Sequence, residues 1–189
     1  MTREPEGKKY NSVAIAFHWV IAVLVIFMLF WGRYMTDLPK GSYERLEGFQ
    51  LHFSIGITIL VLSVLRLIWR LMNPAPKLIS TMKKHEKILA RGTHYLFYGL
   101  LIILPLAGWA TVSTSSLDVP IIFFDLFQWP WFPGVHDIEN REIIYEVFKQ
   151  MHVTIGWLVL GLVVLHVLAA IRHALILKDG ALKRMWPGK

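Results

Sequence analysis

Four long apolar stretches constrain this chain more than any other feature of its sequence. They cover approximately residues 12–34, 49–71, 92–113 and 150–172. A helix needs roughly 20 mostly apolar residues to cross the hydrocarbon core of a bilayer, and each stretch is long enough. Hydrophobic residues make up 55% of the chain and charged residues only 17%, against about 25% charged residues in soluble domains. The sequence therefore predicts an all-α membrane protein, with four transmembrane helices bundled into one domain over residues 1–189.

The distribution of basic residues predicts how these helices are oriented. Of the 20 Lys and Arg residues, 15 lie on the side of the two chain ends and of the connection between the second and third spans, Arg3, Lys8 and Lys189 among them. Of the 13 Asp and Glu residues, 9 lie on the opposite side. Because basic residues concentrate on the cytoplasmic side of membrane proteins, we expect both termini to be cytoplasmic. This topology accounts for the net charge of +7, and nucleic acid is not an expected partner.

The connection between the third and fourth spans, residues 114–149, is expected to form an external lid. Its apolar run 119–132 contains Asp125 and is interrupted or flanked by Pro120, Pro130 and Pro133. The run is too short to cross a bilayer. These features favour an interfacial or re-entrant loop. Residues 138–150 are expected to form an amphipathic helix leading into the fourth span. At the other side, Asn73-Pro74-Ala75-Pro76 should end the second helix, because proline cannot continue one.

The histidines are the residues most able to carry chemistry. The chain has eight His and no Cys, and the lack of cysteine excludes disulfides, thiolate metal sites, iron–sulfur clusters and covalently attached c-type haem. His85 and His136 are expected to be solvated loop residues. The other six lie in or beside the spans, where ionisable side chains are costly and usually functional. One such histidine can simply bond to a neighbouring helix, so the functional interpretation depends on the set.

Four of these histidines fall at two depths. His152 and His166 are fourteen residues apart, which is about 21 Å along a helix and close to four whole turns, so both face nearly the same way. His52 lies at the depth of His152 near the external side, and His18 at the depth of His166 near the cytoplasmic side. Two stacked imidazole pairs from different helices describe two b-type haems, each with two axial histidines. With both axial positions filled, one-electron transfer is expected rather than oxygen activation.

Small residues follow each of these four histidines one helical turn later. Gly56 follows His52, Gly156 follows His152, and an alanine follows each of the other two. A porphyrin lying flat beside its ligating helix would need this clearance, although ordinary packing of membrane helices also uses small residues. None of the remaining four histidines is followed by Gly or Ala at this spacing.

Two arginines near the end of the second span have different interpretations. Arg66 lies fourteen residues after His52, so it shares that face at the depth of the cytoplasmic pair. It could bind haem propionates through charge-assisted hydrogen bonds, or it could snorkel to the interface. Arg70, one turn further, is expected to snorkel.

Several motifs then occur in a specific order. They are Phe17-His18-Trp19, His52-Phe-Ser-Ile-Gly56, Arg66 and Arg70 before Asn-Pro-Ala-Pro, His94-Tyr-Leu-Phe-Tyr98, the two histidines of the fourth span, and the tail 178–185. In these the chain resembles the bacterial cytochrome b561 family, whose wider relatives include haem-bearing membrane subunits of nickel hydrogenases and formate dehydrogenases. The resemblance implies two b-type haems held by the four paired histidines, electron exchange with ubiquinone or a similar quinone, and residence in the bacterial inner membrane.

The resemblance also places histidines at His94 and His173, near the cytoplasmic interface. Both are candidates for a quinone site or for propionate contacts, and the alternative for each is an interfacial polar residue. His94 also remains a rival ligand for the cytoplasmic haem, although the bulky Tyr98 one turn later disfavours it.

These features together predict an oxidoreductase or electron carrier that transfers electrons between the quinone pool and an external redox partner. One member type of the family oxidises superoxide and reduces ubiquinone, which makes that activity a further candidate. However, the connection 117–149 contains six acids and two basic residues, and such a surface repels superoxide. The alternatives are a haem-bearing anchor subunit relaying electrons for a peripheral dehydrogenase or hydrogenase, and a small transporter without haem. The lack of Asp and Glu within the spans argues against the transporter.

Overall fold

The computed structural model describes residues 9–80 and 82–188, so Arg3, Lys8 and Lys189 lie outside the described residues. Four helices dominate the described chain: α1 (Ser12–Asp37), α2 (Tyr43–Met72), α3 (Lys84–Ser113) and α4 (Arg141–Ile171). Each is long and apolar enough to cross a membrane. The expected all-α bundle of four spans is therefore confirmed.

Shorter elements complete the fold. An antiparallel hairpin of β1 (Ile121–Phe123) and β2 (Phe127–Trp129) lies between α3 and α4, within the connection expected to be a loop. A π-helical turn, Arg172–Leu177, and a 3-10 turn, Leu182–Met185, follow α4. We call the end of the bundle that holds the hairpin the hairpin side, and the end that holds both described chain ends the terminal side. The assignment of the terminal side to the cytoplasm stays a prediction.

Polar side chains cap the first turns of α1 and α2. The Asn11 side chain accepts a hydrogen bond from the Ala14 N–H at 2.8 Å and caps α1, as Ser42 does for α2. As predicted, α2 ends directly before the Asn-Pro-Ala-Pro segment. In contrast, α3 begins well before the expected span, because the Glu86 carboxylate accepts the Lys83 N–H at 2.9 Å and caps its first turn. His85 therefore lies in that exposed helical turn rather than in a loop.

An apolar layer crosses the centre of the bundle and includes residues from all four helices. Its buried members are Ile21, Val25, Ile55, Ile59, Leu101 and Val159. Val159 is completely buried and lies seven residues from His152 on one side and from His166 on the other. The layer therefore separates the two depths at which the histidines occur.

The outer surface of the bundle is also apolar. Phe30 is 75% exposed, Leu71 76% and Trp157 67%. Hydrocarbon tails around such side chains remove the penalty that water would impose, at about 25 cal/mol per Å² of apolar surface. The fold therefore matches a lipid environment around its helices.

The hairpin is fastened to α2 through its backbone. The Gln50 side chain donates to the Pro120 carbonyl at 2.8 Å and accepts from the Ile122 N–H at 2.9 Å. One turn further along α2, the Ser54 hydroxyl accepts from the Phe124 N–H at 2.9 Å. Backbone polar groups away from water must find partners within the protein, and these two side chains supply them along the free edge of β1.

Candidate functional site

The hairpin side contains one pair of histidines from α2 and α4. The ring centres of His52 and His152 are 5.9 Å apart, and the two ring planes are inclined at 71°. Among the described residues, α1 packs against α2, α2 against α3 and α3 against α4. His52 on α2 and His152 on α4 therefore face each other in the interior of the bundle, from two helices that are not neighbours in this packing order.

The tautomer of His152 follows from its hydrogen bond. Its Nδ1 lies 2.9 Å from the Leu104 carbonyl oxygen of α3. A carbonyl oxygen only accepts, so Nδ1 carries the proton and Nε2 keeps its lone pair. Metal-binding histidines characteristically donate their other ring nitrogen to such a group, and His152 is therefore prepared to act as a ligand through Nε2.

Two glycines let these imidazoles approach the neighbouring helices. A Cβ added to Gly108 of α3 would lie 2.9 Å from Cε1 and 3.0 Å from Nδ1 of His152. A Cβ added to Gly32 of α1 would lie 3.5 Å from Cε1 of His52. The Nδ1 of His52 is buried and makes no hydrogen bond within the described part of the chain. These glycines were not predicted as site residues. The available signal was their position on neighbouring spans at the depth of the hairpin-side pair.

The terminal side contains a cluster of three histidines, in which His18 and His94 both lie beside His166. The ring centres of His18 and His166 are 6.2 Å apart, and those of His94 and His166 are also 6.2 Å apart. The expected pair of His18 and His166 is therefore close together, but His94 is equally close to His166 and remains the rival of His18 as a ligand. Within residues 9–80 and 82–188, no group of three or more His, Asp or Glu side chains could hold a metal ion, so these histidines are best considered as pairs.

Arg66 lies directly beside this cluster. Its Nη2 is 3.4 Å from Nδ1 of His18, and its guanidinium lies over the Tyr98 ring, 5.5 Å from the centroid. Because arginine only donates, Nδ1 of His18 accepts in this arrangement and the ring proton is on Nε2. Iron binding through Nε2 requires the opposite tautomer, so Arg66 would have to turn away from His18 and would then be free for another acceptor.

The glycines expected to give clearance are open. A Cβ at Gly156 would meet nothing within 4 Å, and one at Gly56 would meet only the Cε of Met28 at 3.9 Å. Both positions are therefore free of close contacts with neighbouring helices, and their use by a porphyrin stays a prediction.

His173 lies beyond the cluster, in the π-helical turn. Its Nδ1 is 2.6 Å from the Asp179 carboxylate, and the two side chains are only 14% and 11% exposed. The other Asp179 oxygen accepts from the Ala181 N–H at 3.0 Å. Because the Asp179 carboxylate accepts from Nδ1 of His173, the proton stays on Nδ1. The Nε2 atom of His173 then remains available to another partner.

The acidic connection on the hairpin side is tied together by ion pairs. Arg141 bonds to the Asp118 carboxylate at 2.8 Å, and this hydrogen bond lowers the pKa of Asp118 below its ordinary value. Lys149 pairs with Glu146 at 3.0 Å. His136 lies in a loop, as expected, but it is half-buried rather than fully solvated. Its ring stacks on Trp131 at 4.5 Å, and its Nδ1 lies 3.1 Å from the Ser113 carbonyl oxygen.

The residues present fit a bis-histidine haem at each depth. A transition metal lies about 2 Å from an imidazole nitrogen, so two rings binding one ion from opposite sides have centres roughly 6 Å apart. The distances of 5.9 Å and 6.2 Å agree with this arrangement. The preset tautomer of His152 and the openness at Gly156 point the same way.

Four apolar helices with paired interior histidines at two depths define a membrane protein built for electron transfer. The sequence profile of the family described as prokaryotic cytochrome b561 matches residues 9–188. The chain belongs to this family. Membership implies binding of b-type haem and, with the four spans, a multi-pass protein of the bacterial inner membrane.

Named relatives agree with this assignment over nearly their whole length. Cytochrome b561 homolog 2 of Escherichia coli (strain K12) is 31% identical over 97% of this chain and 93% of the relative. The probable superoxide oxidase CybB of Yersinia pestis is 29% identical, with 96% and 98% covered. Cytochrome b562 of Cereibacter sphaeroides is 26% identical, with 98% of each covered.

Proposed function

We propose that the chain is a di-haem cytochrome in which His52 and His152 hold the hairpin-side haem and His18 and His166 hold the terminal-side haem. The observation that carries this proposal is the presence of two imidazole pairs, with ring centres 5.9 Å and 6.2 Å apart, on either side of the apolar layer around Val159. When bound, each haem supplies reversible one-electron oxidation and reduction.

The protein's own groups prepare both positions. The Leu104 carbonyl orients His152, and Gly56 and Gly156 leave room beside the ligating helices. Arg66, once released from His18, would neutralise a propionate on the terminal side. This fit supports bis-histidine binding through the four paired residues. On the terminal side His94 is the rival of His18 as the second ligand beside His166.

We propose that electrons pass between the quinone pool and a redox partner beyond the hairpin side. In this proposal the whole chain, residues 1–189, is one domain with cytoplasmic termini, and residues 114–149 form its external lid. Support comes from family membership and from the excess of Lys and Arg on the terminal side.

His173 and His94 are the proposed quinone contacts on the terminal side. Reduction of a quinone to a quinol takes up two electrons and two protons, so its site needs a group that exchanges protons. His173 suits this role because Asp179 holds the Nδ1 proton at 2.6 Å and leaves Nε2 for the substrate. The ring centre of His94 lies 6.2 Å from that of His166, and His94 is proposed to bind a quinone oxygen or a propionate.

Superoxide oxidation is a second candidate, favoured by the name of the Yersinia pestis relative. The surface of this chain does not support steering of an anion toward the hairpin side. Arg141 and Lys149, the basic residues of the acidic connection, are both engaged by acids. Quinone-linked electron transfer with another partner is therefore the preferred proposal.

The alternative function is that of a haem-bearing anchor subunit for a peripheral dehydrogenase or hydrogenase. Co-purification of a large catalytic subunit would favour this alternative instead.

Anaerobic stopped-flow spectroscopy of the purified protein tests this function. Mixing with a ubiquinol analogue should reduce both haems, and His173→Gln should slow that reduction without changing the haem spectrum. His85→Gln, which alters an exposed histidine on the same side, is the matched control and should react like the wild type. Reduction by superoxide but not by quinol would reverse the preference, and reduction by neither would refute both candidates.

A further inference from the structure

A cavity of about 270 Å³ lies on the terminal side, between the start of α1, the end of α2 and Tyr98 of α3. Three cationic side chains line it, from Lys9, Arg66 and Arg70. None of its described lining residues is acidic. The cavity therefore concentrates positive charge at an edge of the bundle without a compensating carboxylate.

Arg70 is the least satisfied of these groups. Its Nη1 is fully buried and has no hydrogen-bond partner in the described part of the chain, whereas snorkelling would place the guanidinium head in water. This one guanidinium nitrogen therefore lies inside the protein, although Arg70 as a whole is partly exposed, and snorkelling of the rest of the side chain stays a prediction. Leaving a buried charged donor without a partner is unfavourable, so this atom is suited to donate to an acceptor that enters the cavity.

The cavity is built from anchored elements rather than from mobile surface side chains. The Trp69 indole donates to the Asn11 side chain at 3.2 Å, which ties the end of α2 to the start of α1. The Trp19 indole donates to the Met185 carbonyl at 2.7 Å, and Met185 forms part of the cavity wall. These hydrogen bonds thus fix parts of the cavity wall next to the two arginines.

We propose that this cavity binds an oxyanion, a phosphate or a carboxylate, through the guanidinium groups of Arg70 and Arg66. Planar guanidinium groups recognise such anions through paired hydrogen bonds. The anion has two available sources. One is the phosphate of an anionic lipid at the membrane interface, and the other is a propionate of the terminal-side haem, because Arg66 also reaches His18.

The carboxylate source rests on the proposed haem binding, whereas the phosphate source does not. The tests therefore compare wild type with Arg70→Gln, which removes the charged fork, and with Arg91→Gln as the matched control. Arg91 is an exposed arginine on the same side and does not line the cavity. Arg70→Lys keeps the charge but loses the fork, and it replaces Arg70→Gln should that variant fail to fold.

Native mass spectrometry tests the phosphate source. Delipidated protein would be incubated with mixed vesicles of phosphatidylcholine and phosphatidylglycerol, and retained phosphatidylglycerol would be measured. A phosphate in the cavity predicts one retained phosphatidylglycerol in wild type and Arg91→Gln, with about tenfold weaker retention in Arg70→Gln, which corresponds to losing about 1.4 kcal/mol.

Resonance Raman spectroscopy of the same samples tests the carboxylate source. A propionate in the cavity predicts that the propionate bending band of the terminal-side haem shifts in Arg70→Gln and not in Arg91→Gln, with unchanged lipid retention. If Arg70→Gln matches Arg91→Gln in both measurements, the cavity holds no oxyanion and the inference is wrong. Wild-type protein without haem would defeat the proposed function alone, and the lipid measurement would still decide the cavity.

Discussion

Gly108 determines how closely His152 approaches α3, whereas a Cβ at Gly32 would make only ordinary van der Waals contact with His52. At Gly108 the space is smallest, because an added Cβ would lie 2.9 Å from Cε1 of His152. Real Cβ atoms do not tolerate such a distance, so the imidazole would have to move. Moving it would also disturb the hydrogen bond from Nδ1 to the Leu104 carbonyl, which sets the tautomer needed for metal binding.

We therefore expect Gly108→Ala to lower the haem content of the protein from two toward one per chain. The matched control is Gly161→Ala on α4, where an added Cβ meets nothing within 4 Å and alanine should stabilise the helix by up to about 1 kcal/mol. Haem content is measured as pyridine haemochrome per chain. Equal haem contents and equal spectra in the two variants would contradict the proposed role of Gly108.

Gly56 and Gly156 allow a separate test of clearance beside the ligating helices. Replacing either residue by Leu should displace the hairpin-side haem, because the new side chain would fill the open space next to His52 or His152. The measurement is the absorption spectrum of the reduced protein. Normal haem content in both variants would show that the porphyrin does not use this space.

At the scale of elements, the hairpin depends on α2 for its backbone hydrogen bonds. Gln50→Leu would leave the Pro120 carbonyl and the Ile122 N–H without the partners they have at 2.8 Å and 2.9 Å. Each lost partner should cost about 1–3 kcal/mol where water cannot replace it. We expect faster amide hydrogen exchange across residues 120–124 and a lower melting temperature. Gln128→Leu, which alters an exposed side chain of the same hairpin, should change neither.

The Asp118–Arg141 pair links the connection after α3 to the first turn of α4. Folding lowers the pKa of Asp118 from its ordinary value of 3.8 through the hydrogen bond from Arg141. A lowered carboxyl pKa means that the pair stabilises the fold above pH 3.8 and loses this contribution as the pH falls through the folded pKa. Amide hydrogen exchange around residue 118 should therefore become faster below that pH, relative to the bundle core. Asp118→Asn should exchange faster already at neutral pH and lose this pH dependence.

For the whole molecule, hydropathy predicted the four-span bundle, and short motifs in a specific order carried the resemblance to the family. Both depend on patterns within single helices, such as the fourteen residues between His152 and His166. Contacts between elements could not be predicted in this way. Three features require knowledge of which residue another element brings nearby: the contact of Gly108 with His152, the hydrogen bonds from Gln50 to the hairpin, and the buried Nη1 of Arg70.

The apolar layer around Val159 makes the two histidine levels separate sites, so each should lose its haem independently. His52→Ala and His152→Ala should remove the hairpin-side haem, and His18→Ala and His166→Ala the terminal-side haem. His94→Ala should retain both, because we assign His94 to contacts around the site rather than to the iron.

Spectroscopic redox titration with haem quantification on this set of variants shows whether the two haems are ligated independently. We expect two b-type haems per wild-type chain and one in each of the four single variants. The haem that remains after loss of His52 or His152 should have a different midpoint potential from the one that remains after loss of His18 or His166. Loss of both haems together in every variant, or retention of both in any of the four, would contradict two independently ligated haems.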